Sequence, residues 1–67
     1  MKGGGFMTKL SLRGARVNAG LKVKNVAQKL GVTTQTIYNW EQGITEPRIN
    51  YLKMLSELYN IEINKFK

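Results

Sequence analysis

Apolar residues recur at spacings of three and four along most of the chain, which is the period of amphipathic α-helices. The first such segment runs from about Lys9 to just before Gly20, where a glycine commonly ends a helix. Gly14 lies within this segment and lowers its helical propensity. The positions on its apolar face are Thr8, Leu12, Ala15 and Ala19, with Val17 flanking.

Two further short helices are predicted in the middle of the chain. The second helix runs from about Val23 to Leu30, has Val23, Val26, Ala27 and Leu30 on its apolar side, and stops at Gly31. Thr33 can cap a third helix, because its hydroxyl can accept a bond from a free backbone N–H. That third helix continues to about Gln42 and ends at Gly43.

A fourth helix follows the break at Pro47, a residue compatible with a helix start. Its predicted apolar stripe consists of Ile49, Leu52, Leu55, Ser56 and Tyr59. The tail NIEINKF allows a short fifth turn, and no segment alternates as a half-buried strand would. The predicted fold class is therefore all-α, a compact bundle of four to five short helices.

Composition excludes most catalytic chemistry. The 67 residues leave room for one domain, and they include no cysteine and no histidine. Disulfides, thiolate chemistry, common zinc sites and a histidine general base are therefore excluded. The four acidic residues are scattered along the chain. We expect no metal, no cofactor and no enzymatic activity.

The N-terminal stretch MKGGGF contains three adjacent glycines, which do not favour regular structure. We expect residues 1–7 to form a disordered leader and residues 8–67 to form the domain. We hypothesise that Met7 is the natural start, because codons for Lys-Gly-Gly can resemble a ribosome-binding site. No apolar run has the length of a membrane span or a signal peptide, so the expected compartment is the cytoplasm.

The charge distribution predicts a polyanionic partner. The formal net charge is +7, and all seven cations up to Lys29 precede the first acid, Glu41. Such an asymmetry indicates binding to nucleic acid or to a membrane surface. The alternative is a solvated basic surface that only keeps the protein soluble. A charge of this size on so short a chain favours the polyanion.

The stretch LGVTTQTIYNWEQG, by contrast, is almost uncharged. At 100° per residue, Thr34, Gln35, Tyr38, Asn39 and Gln42 share one arc of the third helix, and Thr36, Ile37, Trp40 and Glu41 share the other. Amides and hydroxyls can bind base edges in the major groove, whereas basic residues supply phosphate affinity without sequence information. The alternative is an ordinary solvated helix face.

The residues before this arc favour DNA binding, because a helix, a turn at Leu30-Gly31-Val32 and a second helix have helix-turn-helix spacing. The chain resembles the phage repressor/Cro-type (Xre-type) helix-turn-helix family. The matching residues are LRGARVNAGLKVKNVAQKLGVTTQTIYNWEQG, Pro47, the stripe Ile49, Leu52 and Leu55, and NIEINKF. The resemblance implies a lambda repressor-like five-helix bundle, with helix 3 as the recognition helix and an operator bound by a symmetric homodimer.

The candidate DNA contacts fall into two groups. The base-reading candidates are Thr34, Gln35, Tyr38 and Asn39. The phosphate-binding candidates are Lys22, Lys24, Thr33, Gln42, Gly43 and Arg48. The family often has a phosphate-contacting Gln where this chain has Val23, so Lys22 or Lys24 is expected to replace it. Arg48 stands where the family often has Ser, and a phosphate contact, a minor-groove contact and simple exposure remain open.

The resemblance also implies structural contacts. Arg16 of helix 1 and Glu41 of helix 3 match a family ion pair that holds the fold. Trp40 is expected in the core. The residues expected to contribute to the dimer contact are Tyr59, Ile61, Ile63 and Phe66. The alternative for the last three is that they close the core of the monomer.

We therefore expect a sequence-specific regulator that binds double-stranded DNA, of the type of a small Cro-like prophage or plasmid repressor, bacterial or phage-encoded. No second domain, small-molecule ligand or membrane partner is expected. The alternative is an antitoxin-like protein-interaction module built on the same bundle. A membrane-binding cationic peptide is disfavoured, because it needs one helix with opposed basic and apolar faces and the repeated glycine breaks prevent that.

Overall fold

The computed structural model describes residues 11–62, and within that range it contains four α-helices and no strand. Helix α1 spans Leu12–Asn18, α2 spans Val23–Leu30, α3 spans Thr34–Gln42 and α4 spans Ile49–Tyr59. The predicted all-α class is confirmed. The leader and most of the predicted fifth turn lie outside the described residues.

Hydroxyl side chains begin two of the helices. Ser11 Oγ accepts a bond from the Gly14 N–H at 2.9 Å, and Thr33 Oγ1 accepts one from the Thr36 N–H at 3.1 Å. Such caps typically contribute about 1 kcal/mol each. The predicted Thr33 cap is confirmed. The predicted start of helix 1 near Lys9 is too early, because Ser11 is the extended cap residue and α1 begins at Leu12.

A left-handed residue follows each of the four helices. It comes directly after α2, α3 and α4, with φ of 73° at Gly31, 79° at Gly43 and 57° at Asn60, and one residue later after α1, where Ala19 is right-handed and Gly20 has φ of 73°. The following residue then donates its N–H to a carbonyl five positions back, as in Ile44 to Asn39 at 2.9 Å. The three predicted glycine stops are confirmed.

The core lies where α1, α2, α3 and α4 converge. Its buried residues in the described range are Ala15, Val23, Val26, Ala27, Leu30, Ile37, Trp40, Leu55 and Tyr59. Helices α2 and α3 pack most extensively against each other, and α1 contacts both α3 and α4. The Trp40 ring lies 5.3 Å from the Tyr51 ring at a tilt of 44°, which joins α3 to α4. The inward position predicted for Trp40 is confirmed.

Two positions assigned to apolar faces are exposed instead. Ala19 follows the last residue of α1, so it is no longer held against the core by helical geometry. Ile49 is the first residue of α4 and is 60% exposed. The central part of the α4 stripe, Leu55 and Tyr59, is buried as predicted.

Tyr59 makes this core less stable as the pH becomes alkaline. Desolvation by burial, followed by the nearby charge of Glu41, raises the pKa of Tyr59 to about 12, against the opposing effect of Arg16. The unfolded chain therefore releases the tyrosine proton first, near pH 10, and stability falls as the pH rises towards 12.

We expect this ionisation to remove up to roughly 2–3 kcal/mol of stability between pH 10 and pH 12. Thermal melts over that interval measure it. Tyr59→Phe should remove most of this dependence of stability on pH, because the variant has no hydroxyl proton to release. Identical slopes in the wild-type chain and in Tyr59→Phe would show that Tyr59 does not titrate with folding.

Candidate nucleic-acid interface

The outer face of α3 carries uncharged polar side chains. Thr34, Gln35 and Gln42 are exposed, Tyr38 is 45% exposed and Asn39 is half-buried. Ile37 and Trp40 on the opposite side are buried. The two arcs predicted for this helix are therefore confirmed, and the outer face, called here the α3 face, consists of Thr34, Gln35, Tyr38, Asn39 and Gln42.

Two of the base-reading candidates are joined to each other. Gln35 Nε2 donates to Asn39 Oδ1 at 3.0 Å, across one turn of the helix. Residues four apart face the same side of a helix, so such a bond requires no distortion of the backbone. The two amides thus form one polar surface rather than two separate side chains.

An open groove of about 750 Å³ lies beside the α3 face. The residues that line it are Arg13, Arg16, Lys22, Val23, Lys24, Thr34, Tyr38, Glu41 and Gln42. The groove, called here the basic groove, brings the cations of α1 and α2 next to the exposed residues of α3. It joins three phosphate-binding candidates, Lys22, Lys24 and Gln42, to two base-reading candidates, Thr34 and Tyr38.

The N-terminal end of α2 leaves its lysines available to this groove. The Lys22 backbone N–H donates to Asn25 Oδ1 at 3.3 Å, which completes one half of a capping box. The Lys22 ammonium has no lone pair and cannot complete the other half. Lys22 and Lys24 are both exposed, so each can turn towards an anion in the groove.

Arg13 is a groove residue that the sequence assignment missed. It is exposed on α1, one turn before Arg16, and lines the same groove as Lys22 and Lys24. The spacing of three between Arg13 and Arg16 places them on one helix face, and this signal could have identified Arg13.

Arg16 and Glu41 form the ion pair at the inner wall of the basic groove. Arg16 Nε donates to Glu41 Oε2 at 2.7 Å and Nη2 donates to Oε1 at 3.3 Å, while Nη1 donates to the Leu21 carbonyl at 3.1 Å. The two side chains are 12% and 6% exposed. The hydrogen bond with Glu41 raises the pKa of Arg16 against the lowering effect of desolvation. The predicted pair is present, and it joins α1 to α3.

Two phosphate-binding candidates, Gln42 and Gly43, lie at the C-terminal end of α3. The Gly43 N–H donates to the Trp40 carbonyl at 3.2 Å, and the Ile44 N–H donates to Asn39. The helix end thus uses these donors, and the phosphate contact from the Gly43 backbone stays a prediction. Gln42 retains an exposed side chain in the groove.

Thr33 and Arg48 both occupy cap positions. The Thr33 hydroxyl is bonded to the Thr36 N–H and lies 2.9 Å from Thr36 Oγ1, so its main contact is within α3. Arg48 precedes α4, is exposed and makes no side-chain cap bond. Phosphate contacts from these two residues stay predictions.

The predicted dimer contact is only partly within the described residues. Tyr59 is 5% exposed and packs in the monomer core, and its assignment to the dimer contact stays a prediction. Ile61 is half-buried against that core, and its carbonyl accepts a bond from Ser56 Oγ. Ile63 and Phe66 lie outside the described residues, and their dimer role stays a prediction.

A family described as helix-turn-helix matches residues 12–66, and the chain therefore belongs to the helix-turn-helix family, of the Cro/C1 type. The chain is also similar to the inferred HTH-type transcriptional regulatory protein PAE1627 of Pyrobaculum aerophilum, with 35% identity over 54 residues. That alignment covers 81% of this chain and 22% of the relative, so the chain spans about a fifth of the relative's length. No solved structure matches the chain at a comparable level.

No helix in the described part of the chain is long and apolar enough to cross a membrane.

Proposed function

We propose that this chain is a sequence-specific DNA-binding domain of a transcription regulator, which places α3 in the major groove of double-stranded DNA. The observation that carries the proposal is the uncharged polar α3 face lying directly beside the basic groove. This arrangement separates the two parts of DNA recognition, because amides and hydroxyls distinguish bases whereas cations bind every phosphate alike. Family membership and the regulatory relative support the same function.

The residues divide accordingly. Gln35 and Asn39 have the amides that can pair with adenine, and Thr34 or Tyr38 can contact a thymine methyl group. Lys22 and Lys24 contact phosphates flanking the site, and Arg13 joins them as an addition from the structure. The residues with further proposed phosphate contacts are Thr33, Gln42 and Arg48.

We further propose that the domain binds its operator as a homodimer, in the manner of a small Cro-like prophage or plasmid repressor in the cytoplasm. The C-terminal residues Ile61, Ile63 and Phe66 would supply the contact between copies. A symmetric dimer of this kind requires two half-sites about one helical turn, roughly 34 Å, apart.

A second candidate function is an antitoxin-like protein-interaction module. The observation that favours it is an apolar groove of about 270 Å³ between α2 and α4, lined by Lys29, Leu30, Met54, Glu57 and Leu58. The α3 face provides no comparable apolar anchor for a protein partner, so DNA binding remains the better account of that face.

Selection of bound sequences from a random duplex pool tests the proposed function. At moderate salt we expect enrichment of a two-fold symmetric motif that contains adenine in each half-site. Enrichment of an asymmetric single site would remove the homodimer while retaining specific DNA binding. Recovery of no motif would contradict sequence-specific DNA binding and favour the interaction module.

Lys24 should contribute to the affinity for DNA but not to the sequence preference. We expect Lys24→Ala to weaken binding to all duplexes alike and to make the slope of log K against log salt shallower by about one unit, because one phosphate contact is lost. The measurement is a salt titration of affinity on the enriched duplex and on a scrambled one.

The matched control is Lys29→Ala, which removes the same charge from the other end of α2, on the side of the α2–α4 groove. Its salt slope should equal that of the wild-type chain. A loss in Lys24→Ala confined to the enriched duplex would assign Lys24 to base recognition instead.

A further inference from the structure

The bond between Gln35 and Asn39 restricts what the α3 face can present to DNA. Gln35 Nε2 donates to Asn39 Oδ1 at 3.0 Å. Gln35 is exposed and Asn39 is half-buried, so the shorter and better-held side chain restrains the longer one. A free glutamine has three rotatable side-chain bonds and loses that freedom on binding.

The bond also fixes which way the Gln35 amide faces. A primary amide has one acceptor oxygen and two N–H donors. Because one N–H is bonded to Asn39, the groups left for DNA are Oε1 and the second N–H. This is the acceptor and donor pair that adenine requires, since adenine offers its N6 amino group and its N7 acceptor in the major groove.

Asn39 keeps both N–H donors of Nδ2 and one lone pair of Oδ1, because Oδ1 accepts a single bond from Gln35. The donors can bind O4 of thymine, N7 of adenine, or N7 and O6 of guanine, and the remaining lone pair can accept from N4 of cytosine. The bond to Gln35 therefore does not by itself select the base that Asn39 faces, and what it determines is the position of the Gln35 amide.

We propose that Gln35 and Asn39 read DNA as one unit. In this unit Asn39 is a positioning residue that orients Gln35 towards adenine. The inference rests on the proposed DNA-binding function, and it adds a dependence of Gln35 on Asn39 that independent contacts would not show.

A double-mutant cycle on the full chain tests the unit. We measure the affinities of Gln35→Ala, Asn39→Ala and the double variant for the enriched duplex at fixed salt. The same measurements are made on duplexes in which each adenine in turn is replaced by 7-deazaadenine, which lacks N7. We expect each single variant to lose at least about fivefold on the enriched duplex. The double variant should lose no more than the weaker-binding single variant.

The adenine preference provides a readout that a loss of folding would not imitate. In Asn39→Ala, the preference for adenine over 7-deazaadenine at the Gln35 position should fall close to one. Asn39→Asp keeps an oxygen acceptor for Gln35 and adds a negative charge. It should therefore weaken binding to all duplexes but retain the adenine preference.

Two results would overturn the inference while leaving the proposed function intact. One is a double variant whose fold-loss of affinity equals the product of the losses of the two single variants. The other is a full adenine preference in Asn39→Ala. If instead the wild-type chain has no preference among duplexes, the proposed function itself fails. Thermal melts of each variant show whether the variant that lost the preference is folded. If Asn39→Ala does not fold, the ratio of the affinities of Asn39→Asp for the adenine and 7-deazaadenine duplexes decides the question.

Discussion

Arg16→Ala is expected to lower the free energy of unfolding by about 3 kcal/mol, because it leaves the Glu41 carboxylate without its charged partner. It also leaves the Leu21 carbonyl without the bond from Nη1. In a domain of this size, that loss corresponds to a fall in melting temperature of roughly 12–24 °C. Glu41→Ala should have an effect of similar size, because it leaves the guanidinium of Arg16 unpaired.

Thermal melts monitored by circular dichroism measure these losses. Arg13→Ala is the matched control, because Arg13 is exposed on the same helix and loses the same charge. We expect it to change stability by less than about 0.5 kcal/mol while weakening DNA binding. If Arg16→Ala keeps the wild-type melting temperature but loses DNA binding, the pair serves recognition rather than the fold.

Gln35→Ala is expected to cost about 1–3 kcal/mol of binding free energy at the preferred site, because a bidentate amide contact to adenine is lost. The cost should be much smaller at a site in which that adenine has already been replaced. The measurement is a double cycle of protein and base substitutions at fixed salt.

Gln28→Ala is the matched control, since Gln28 is exposed on α2 and lies outside the residues lining the basic groove. Gln28→Ala should change the affinity for the preferred site and for the adenine-replaced site equally. If the losses from Gln35→Ala and from the base replacement simply add, Gln35 does not read that base. The α3 face would then be a solvated surface.

The helix boundaries were predictable wherever a single residue type decides them. Gly31 and Gly43 end α2 and α3 at the predicted positions, because the left-handed conformation strongly favours glycine. The two faces of α3 were equally predictable, since a helix of nine residues with Ile37 and Trp40 on one side has one way to bury them.

The remaining features depend on contacts between elements or on competition for hydrogen bonds. Tyr59 was assigned to a dimer because an apolar stripe does not show which surface covers it. The Gly43 N–H was assigned to phosphate, whereas in the structure it donates to the Trp40 carbonyl at the C-terminal end of α3. Arg13 shares a helix face with Arg16, but its place in the basic groove depends on the packing of α1 beside α3.

Mapping of amide chemical shifts during titration with the enriched duplex tests the central claim most directly. The claim is that the α3 face and the basic groove together bind DNA. We expect the largest changes at Thr34, Gln35 and Asn39 and at Lys22 and Lys24, with a scrambled duplex shifting the lysines but leaving the α3 amides largely unmoved. Changes confined to Lys29, Met54 and Leu58, at the α2–α4 groove, would contradict the claim.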